Sequence, residues 1–441
     1  LGNYATNTYA TGTAVKLILQ LEPDVLWMRF TNSGSQWSAW EATATTKNWQ
    51  LDTGLLPTEV LVDGTRTVWM EVMDAASETT IYHDSIILDR ATPTGTVLIN
   101  NGDTYVRTRT VSLIFSYEDE TAGVDKIRYA TSTSALTSAS WGTPSAAGTL
   151  TFESDGTQTA YYQVMDIVGW VSETLTDSII VDTVVPRATF TINYNATYTT
   201  TPNVTLTDFE YEDATSGVDQ IRFKNEGGSW TGWQDMVDMR DWVLSSGQGT
   251  KTVVIEVRDK AGNSATYTDS IIFDGTAPLG TITIYGLGNY ATSTYATGTA
   301  VKLILQLEPD VTQMRFTNNG SVWSAWEGTA TSKGWDLGYG LLPTEVLVDG
   351  TRTVWVEVRD AATVTAIYSD NIILDMATPT GTVIINNDDI YVRTRTVSLT
   401  LSYQDTTSGV NQIRYATSTL ALTSASWGTP SAAGTLTFES D

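Results

Sequence analysis

Residues 250–278 read T-K-T-V-V-I-E-V-R-D-K-A-G-N-S-A-T-Y-T-D-S-I-I-F-D-G-T-A-P, two strands joined by a turn. Val253, Ile255 and Val257 alternate with Val254, Glu256 and Arg258, the two-residue period of a half-buried strand. Asp259-Lys260-Ala261-Gly262-Asn263 is turn chemistry: Asx side chains bond nearby backbone, and Gly accepts a positive φ. A second β-rich run closes on Asp274. Pro278, with no N–H for a ladder, ends the pairing.

The unit recurs. T-R-T-V-W-M-E-V-M-D leads to D-S-I-I-L-D at 84–89 and Pro93. T-A-Y-Y-Q-V-M-D leads to D-S-I-I-V-D at 177–182 and Pro186, and T-R-T-V-W-V-E-V-R-D leads to D-N-I-I-L-D at 370–375 and Pro379. A longer period of 286 residues is superposed: Leu1-Gly2-Asn3-Tyr4 returns as Leu287-Gly288-Asn289-Tyr290, and about four in five residues of the overlap are identical. Neighbouring repeats are far less alike, so a block of three different repeats is duplicated. The expected domains are 1–93, lacking its first strand; 94–186; 187–278; 279–379, a copy of the first; and 380–441, a shortened copy of 94–155. The first and last residues are expected not to be natural ends, with a strand like G-T-I-T-I-Y (280–285) before Leu1 and residues like 156–186 after Asp441.

A chain of 441 residues exceeds one core and suits several domains. With 24 basic against 50 acidic residues the net charge is −26, which argues against nucleic acid and anionic membrane as partners and favours cations. There is no Cys, and no apolar run approaches the roughly 20 residues a membrane-spanning helix needs. Membrane insertion by this segment is therefore not expected.

Seven strands are expected per complete domain. In the third they are Ala188–Asn193, Val204–Tyr211 with one extra residue suggesting a bulge, a strand holding Ile221 and Phe223, a short one with Trp230 and Trp233, one with Trp242 and Leu244, and the two of the opening stretch. Residues 134–140 suit one turn of helix. Many short strands with Gly and Asp turns mean an all-β tandem array of β-sandwiches.

The run D-x-x-S-G-V, I-R-F, W-x-x-W, G-x-G-T-x-T-V, R-D-x-A-G-N and D-S-I-I-x-D-x-x-x-P, best seen in the third domain, resembles the bacterial immunoglobulin-like repeats of very large secreted and cell-surface proteins. The first and fourth domains depart from it, with Glu22-Pro23-Asp24 and Glu308-Pro309-Asp310 in place of the S-G-V turn. The second has Asp166-Ile167-Val168-Gly169-Trp170 for the A-G-N turn. The resemblance implies stalks, adhesin extenders and surface fibres.

Catalysis finds no foothold. The one histidine, His83, is Ser369 in the later copy, and without Cys the common nucleophilic triads and zinc sites are excluded. No cofactor is required by any motif. In a seven-strand sandwich the B–C and F–G loops lie at the end where the chain enters. That gathers Asp89 with Asp119 and Asp166, Asp182 with Asp213 and Asp259, and Asp274 with Asp310 and Asp360 at successive junctions. Such triads suit Ca²⁺, which takes 6–8 oxygens; equally, each Asp can cap its own turn.

The pairs Trp37/Trp40, Trp230/Trp233 and Trp323/Trp326 can stack on sugars, but on a strand positions i and i+3 face opposite sides, so one Trp of each pair belongs in the core. Trp69, Tyr161 and Trp355 occupy the outward phase of their strands and can make lateral contacts. Asn195, Asn203 and Asn319 head glycosylation sequons. The function expected is a non-enzymatic structural segment of an extracellular or cell-surface stalk or filament, self-associating into polymers or bundles. The alternatives are an adhesin binding a glycan or cell-surface ligand and an accessory segment of a secreted enzyme.

Overall fold

The computed structural model describes residues 8–54, 60–288, 292–341 and 345–439. Both ends, where the continuation before Leu1 and after Asp441 was expected, lie outside the described residues. The chain divides into two compact units. One runs to Phe190 and takes in Asp208–Met239 and Val253–Thr268; the other holds Thr191–Thr207, Arg240–Thr252 and the chain from Asp269 onward.

In the first unit, residues 94–182 give the pattern in full. Strands Thr94–Ile99 (A), Thr110–Glu118 (B) and Ala147–Thr151 (E) form an antiparallel three-stranded sheet with B central. Strands Val124–Ala130 (C), Gly156–Asp166 (F) and Leu175–Val181 (G) form the second, closed by the two-residue strand Tyr105–Val106 (A′) running parallel to G. This is an all-β immunoglobulin-like sandwich of seven strands. Alternation along B puts Val111, Leu113 and Phe115 inside, facing Ala160, Tyr162 and Val164 of F. Phe115 stacks on Tyr162 with ring centroids 4.6 Å apart. Each such apolar side chain contributes roughly 1.5–3 kcal/mol over an exposed one. Gly148 is required by packing, since a Cβ there would sit 2.8 Å from the Phe115 ring. The expected helical turn is Thr133–Ser138, capped by Ser132, whose Oγ accepts the Ala135 N–H at 3.1 Å.

One side chain ties strand A to strand G. The Asp177 carboxylate accepts the Ile99 N–H at 2.7 Å. Asp269 does the same for Ile192 and Asp370 for Ile284, each at 2.8 Å. These aspartates open the D-S-I-I and D-N-I-I motifs.

Residues 203–212 form one strand in which Leu206 and Thr207 are both buried and Asp208 takes φ 53°, the extra residue of the expected bulge. The Trp230–Trp233 segment is not a strand. It is irregular and tied to its neighbour by Thr231 N–H donating to Phe223 O at 2.8 Å and Gln234 N–H to Ile221 O at 3.0 Å. The seventh strand is instead Tyr198–Thr199, parallel to Ser264–Phe273, and two residues are too few to leave a periodic trace.

In the second unit, residues 279–375 repeat the design. Gly280–Gly286, Ala300–Leu307 and Ser332–Asp336 form one sheet around a core that includes Ile284, Leu303, Phe316 and Val356. Among the described residues of the first unit, the equivalent of the middle strand, Ala14–Ile18, pairs with Thr46–Gln50. Residues 380–437 supply a three-stranded sheet and a short helix, Thr419–Ser424. Ile385 is 44% exposed there, whereas its counterpart Ile99 is fully buried.

Candidate functional site

The topology does draw the two triads of the first unit together. In each, one carboxylate oxygen from every member lies within 4.8 Å of the others: Asp89, Asp119 and Asp166, then Asp182, Asp213 and Asp259. The first member ends strand G of one repeat, the second opens the B–C turn of the next, and the third ends its strand F. Burial follows that order. Asp89, Asp166, Asp182 and Asp259 are almost wholly buried, and the two loop aspartates are half-buried.

Turn capping uses only part of this carboxylate set. Asp119 Oδ1 accepts the N–H groups of Ala122 and Gly123 at 2.8 and 2.9 Å, and Asp166 Oδ1 those of Gly169 and Trp170 at 2.7 and 2.9 Å. Asp89 Oδ1 accepts from Ala91 at 3.2 Å. Asp89 Oδ2 and Asp166 Oδ2 remain buried without a hydrogen-bond partner. An unpaired buried carboxylate oxygen is costly unless a proton or a cation meets it. Accordingly burial, reinforced by Asp119 and Asp166, pushes the Asp89 carboxyl up to about 6. Asp166 is also raised by burial, with its N–H donors pulling the other way.

The second triad is better satisfied. Asp182 Oδ2 accepts the Ser216 N–H at 3.0 Å, and Asp259 Oδ2 the Asn263 side-chain amide at 2.8 Å. Burial still raises Asp259. A second junction bond, not foreseen from sequence, accompanies each triad. Trp170 Nε1–H donates to Asp89 O at 3.1 Å, and Asn263 Nδ2–H donates to Asp182 O at 2.9 Å. Both residues stand four after the strand-F aspartate, so two unlike side chains serve one purpose. The apparent departure of Asp166–Trp170 from the A-G-N pattern is a substitution of one N–H donor for another.

The third expected triad does not close in this way. Only three residues, 308–310, separate strands B and C here, against five, 119–123, in the second repeat. Asp310 is exposed, and Glu308 uses its carboxylate to accept the Leu279 N–H at 2.6 Å. Position four after Asp360 is Val364, which has no side-chain donor. Asp360 is nonetheless raised by burial, with Asp274 and Asp310 adding to it, and its Oδ2 is buried without a partner.

The tryptophan pairs correct a second expectation. Neither member enters the core; both are half-buried and clasp one arginine. The Arg29 guanidinium lies 5.1 Å from the Trp37 ring and 4.6 Å from Trp40, and bonds Glu71 at 2.5 Å. Arg222 does the same between Trp230 and Trp233 with Glu256, and Arg315 between Trp323 and Trp326 with Glu357. The i, i+3 alternation argument fails because the segment is not extended. The aromatic faces a sugar would need are partly filled from within the chain.

Trp69, Tyr161 and Trp355 are half-buried on the face away from the core; Trp69 lies opposite Thr31 and His83, and Trp355 opposite Thr317 and Ser369. Asn195, Asn203, Asn319 and His83 are exposed.

No protein-family model matches the chain, and no curated protein matches it. Among solved structures it is similar to the tetra-tandem repeat in the extending region of a large adhesion protein, at 17% identity over 85% of this chain and 98% of that one, with a TM-score of 0.32. Fibronectin(III)-like modules of Clostridium thermocellum CbhA align at 12% identity over 40% of this chain and 94% of theirs, TM-score 0.28. Drosophila N-cadherin EC1-4 aligns at 11% over 84% and 96%, TM-score 0.25.

Proposed function

We propose that the chain is a structural segment of an extracellular stalk or filament. Its immunoglobulin-like repeats set length, and divalent cations at its acidic junctions set stiffness. The observation that supports this most directly is the Asp89–Asp119–Asp166 cluster, where two repeats meet and two buried carboxylate oxygens lack partners. Six carboxylate oxygens, two of them buried and without a partner, plus nearby backbone carbonyls suit a hard cation such as Ca²⁺. Asp89, Asp119 and Asp166 would hold one ion, and Asp182, Asp213 and Asp259 a second. The net charge of −26 favours cation accumulation along the segment. Among the described residues no helix is long and apolar enough to cross a membrane.

The Arg–Trp stacks favour a structural over a sugar-binding use of the W-x-x-W pairs. Lateral contact through Trp69, Tyr161 and Trp355 would let segments bundle. Calorimetric melting with Ca²⁺ and with chelator tests the junction reading. A bound ion at 100 Kd adds about 2.7 kcal/mol. Superimposable melting curves in the two conditions would remove the cations from the proposal.

A further inference from the structure

The two acidic junctions of the first unit share one backbone plan and differ in how their buried carboxylates are used. Their loop aspartates are used alike. Asp119 Oδ1 accepts the N–H groups of Thr121, Ala122 and Gly123, and Asp213 Oδ1 those of Thr215, Ser216 and Gly217, all between 2.7 and 3.2 Å. The difference lies in the two buried members of each triad.

At the first junction these are Asp89 and Asp166, 0% and 1% exposed. Each accepts backbone N–H groups through Oδ1 alone, Asp89 from Ala91 and Asp166 from Gly169 and Trp170. Each leaves Oδ2 buried without a partner. At the second junction Asp182 and Asp259 are 0% and 1% exposed, and all four of their oxygens are engaged. Asp182 Oδ1 accepts the Val184 N–H at 3.1 Å and Oδ2 the Ser216 N–H at 3.0 Å, a bond that crosses from one repeat to the next. Asp259 Oδ1 accepts the Asn263 N–H at 2.9 Å and Oδ2 the Asn263 side-chain amide at 2.8 Å. Ser216 Oγ is buried there without a partner, but it carries no charge.

The surroundings differ in the same sense. Lys260 follows Asp259, and its Nζ lies 3.6 Å from where a Cβ on Gly217 would stand, so an ammonium lies over that B–C turn. Ile167 follows Asp166 in its place. The Tyr267 hydroxyl donates to Pro186 O at 2.7 Å and ties strand G to the second linker. The residue at that position in the second repeat is Leu175, which has no donor.

We propose, resting on the cation reading above, that the two junctions are two classes of divalent-cation site. Asp89–Asp119–Asp166 fills first. Asp182–Asp213–Asp259 is closed by the chain itself and fills only at a cation concentration about tenfold or more higher. An ion entering the first site meets two buried charged oxygens that have no bond to give up. An ion entering the second must displace the Asn263 amide from Asp259 or the Ser216 N–H from Asp182, and it approaches against Lys260. Losing one bond to a charged acceptor weakens binding by about tenfold or more. At low cation concentration the second joint is therefore already held while the first is not, and the cation level regulates the Asp89 joint before it touches the other.

The test is a calorimetric titration of the whole, chelator-stripped chain with Ca²⁺ alone. The variant carrying both Asp166→Asn and Asp259→Asn supplies the baseline for diffuse binding to other carboxylates. Two steps of one ion each are expected, at least about tenfold apart. Asp166→Asn should remove the tighter step and Asp259→Asn the weaker. Asn263→Ala frees Asp259 Oδ2 and should tighten the weaker step by about tenfold, with the tighter step unmoved. Lys260→Ile alters an exposed side chain, should fold, and should shift the weaker step in the same direction. Two steps of equal affinity, loss of the tighter step in Asp259→Asn, or a weaker step unmoved by both Asn263→Ala and Lys260→Ile would each overturn the proposal and leave cation binding at the junctions standing. A chain that binds no Ca²⁺ above the baseline would overturn the cation reading and this proposal with it.

Discussion

Asp89 places a carboxylate where water does not reach, and its pH response follows. Its folded value, about 6, lies above the ordinary 3.8, so the folded chain holds this proton more tightly than the unfolded one. Stability without cation is then greatest below about pH 4, falls as pH rises from 4 to 6, and stays low above that. Melting in chelator between pH 4 and 7 should show this decline. Ca²⁺ should remove the decline, because the ion replaces the proton. Asp119→Asn takes away one repelling charge, so it should flatten the decline in chelator while weakening the response to Ca²⁺. A pH profile unchanged by that substitution would mean Asp119 does not act on Asp89. The meeting of Asp89, Asp119 and Asp166 was legible because topology alone fixes which strand ends are neighbours. The use of Trp170 and Asn263 at one position was not, since indole and carboxamide share nothing but an N–H. Asp310 was misassigned for a related reason: its loop is two residues shorter, and spacing along the chain does not reveal where a turn closes.

Among the elements, strand A depends most on a single side chain. Asp177→Ala removes an acceptor that a charged group supplies to Ile99 N–H, and a bond of that kind contributes about 1.5–3 kcal/mol. The Ile99 amide should exchange with solvent faster in this variant, while amides of strand F stay protected; uniform loss across the repeat would mean the clasp is not local. The tryptophan segment makes a different point. A strand advertises itself by alternation, as along Val111, Leu113 and Phe115. An irregular segment that hangs its rings over Arg222, with Lys224 and Arg258 also against them, has no period, and its partners in sequence are isolated cations on other strands. Arg222→Ala should cost about 1–2 kcal/mol and red-shift tryptophan emission, since two rings lose the cation they share while Lys224 and Arg258 each still cover one. Unshifted emission would show that the stack does not shield them.

At the scale of the molecule, the 286-residue recurrence and the seven-strand pattern were both present in the sequence, because a duplicated block repeats its errors and idiosyncrasies along with its core. Solution scattering is the measurement that belongs here. A compact chain of 441 residues has a radius of gyration of about 22 Å. A stalk segment should exceed this clearly, and its radius should grow or sharpen in distribution when Ca²⁺ is added. A value near 22 Å in both conditions would exclude a stalk. Replacing Trp69 and Trp355 by Thr should preserve folding and abolish any bundling seen by light scattering.

The missing closure at Asp274, Asp310 and Asp360 has a mechanical meaning. Two junctions in each three-repeat block have carboxylates converging within 4.8 Å and a donor four residues after the strand-F aspartate; the third has no such cluster or donor and is held by Glu308 on the Leu279 N–H and Tyr368 on Pro278 O. Compliance along a polymer of such blocks would then respond to cation unevenly, with one unresponsive joint per period. On the proposed reading, cation concentration would change the bending of a filament at two joints in three and leave the third as it is.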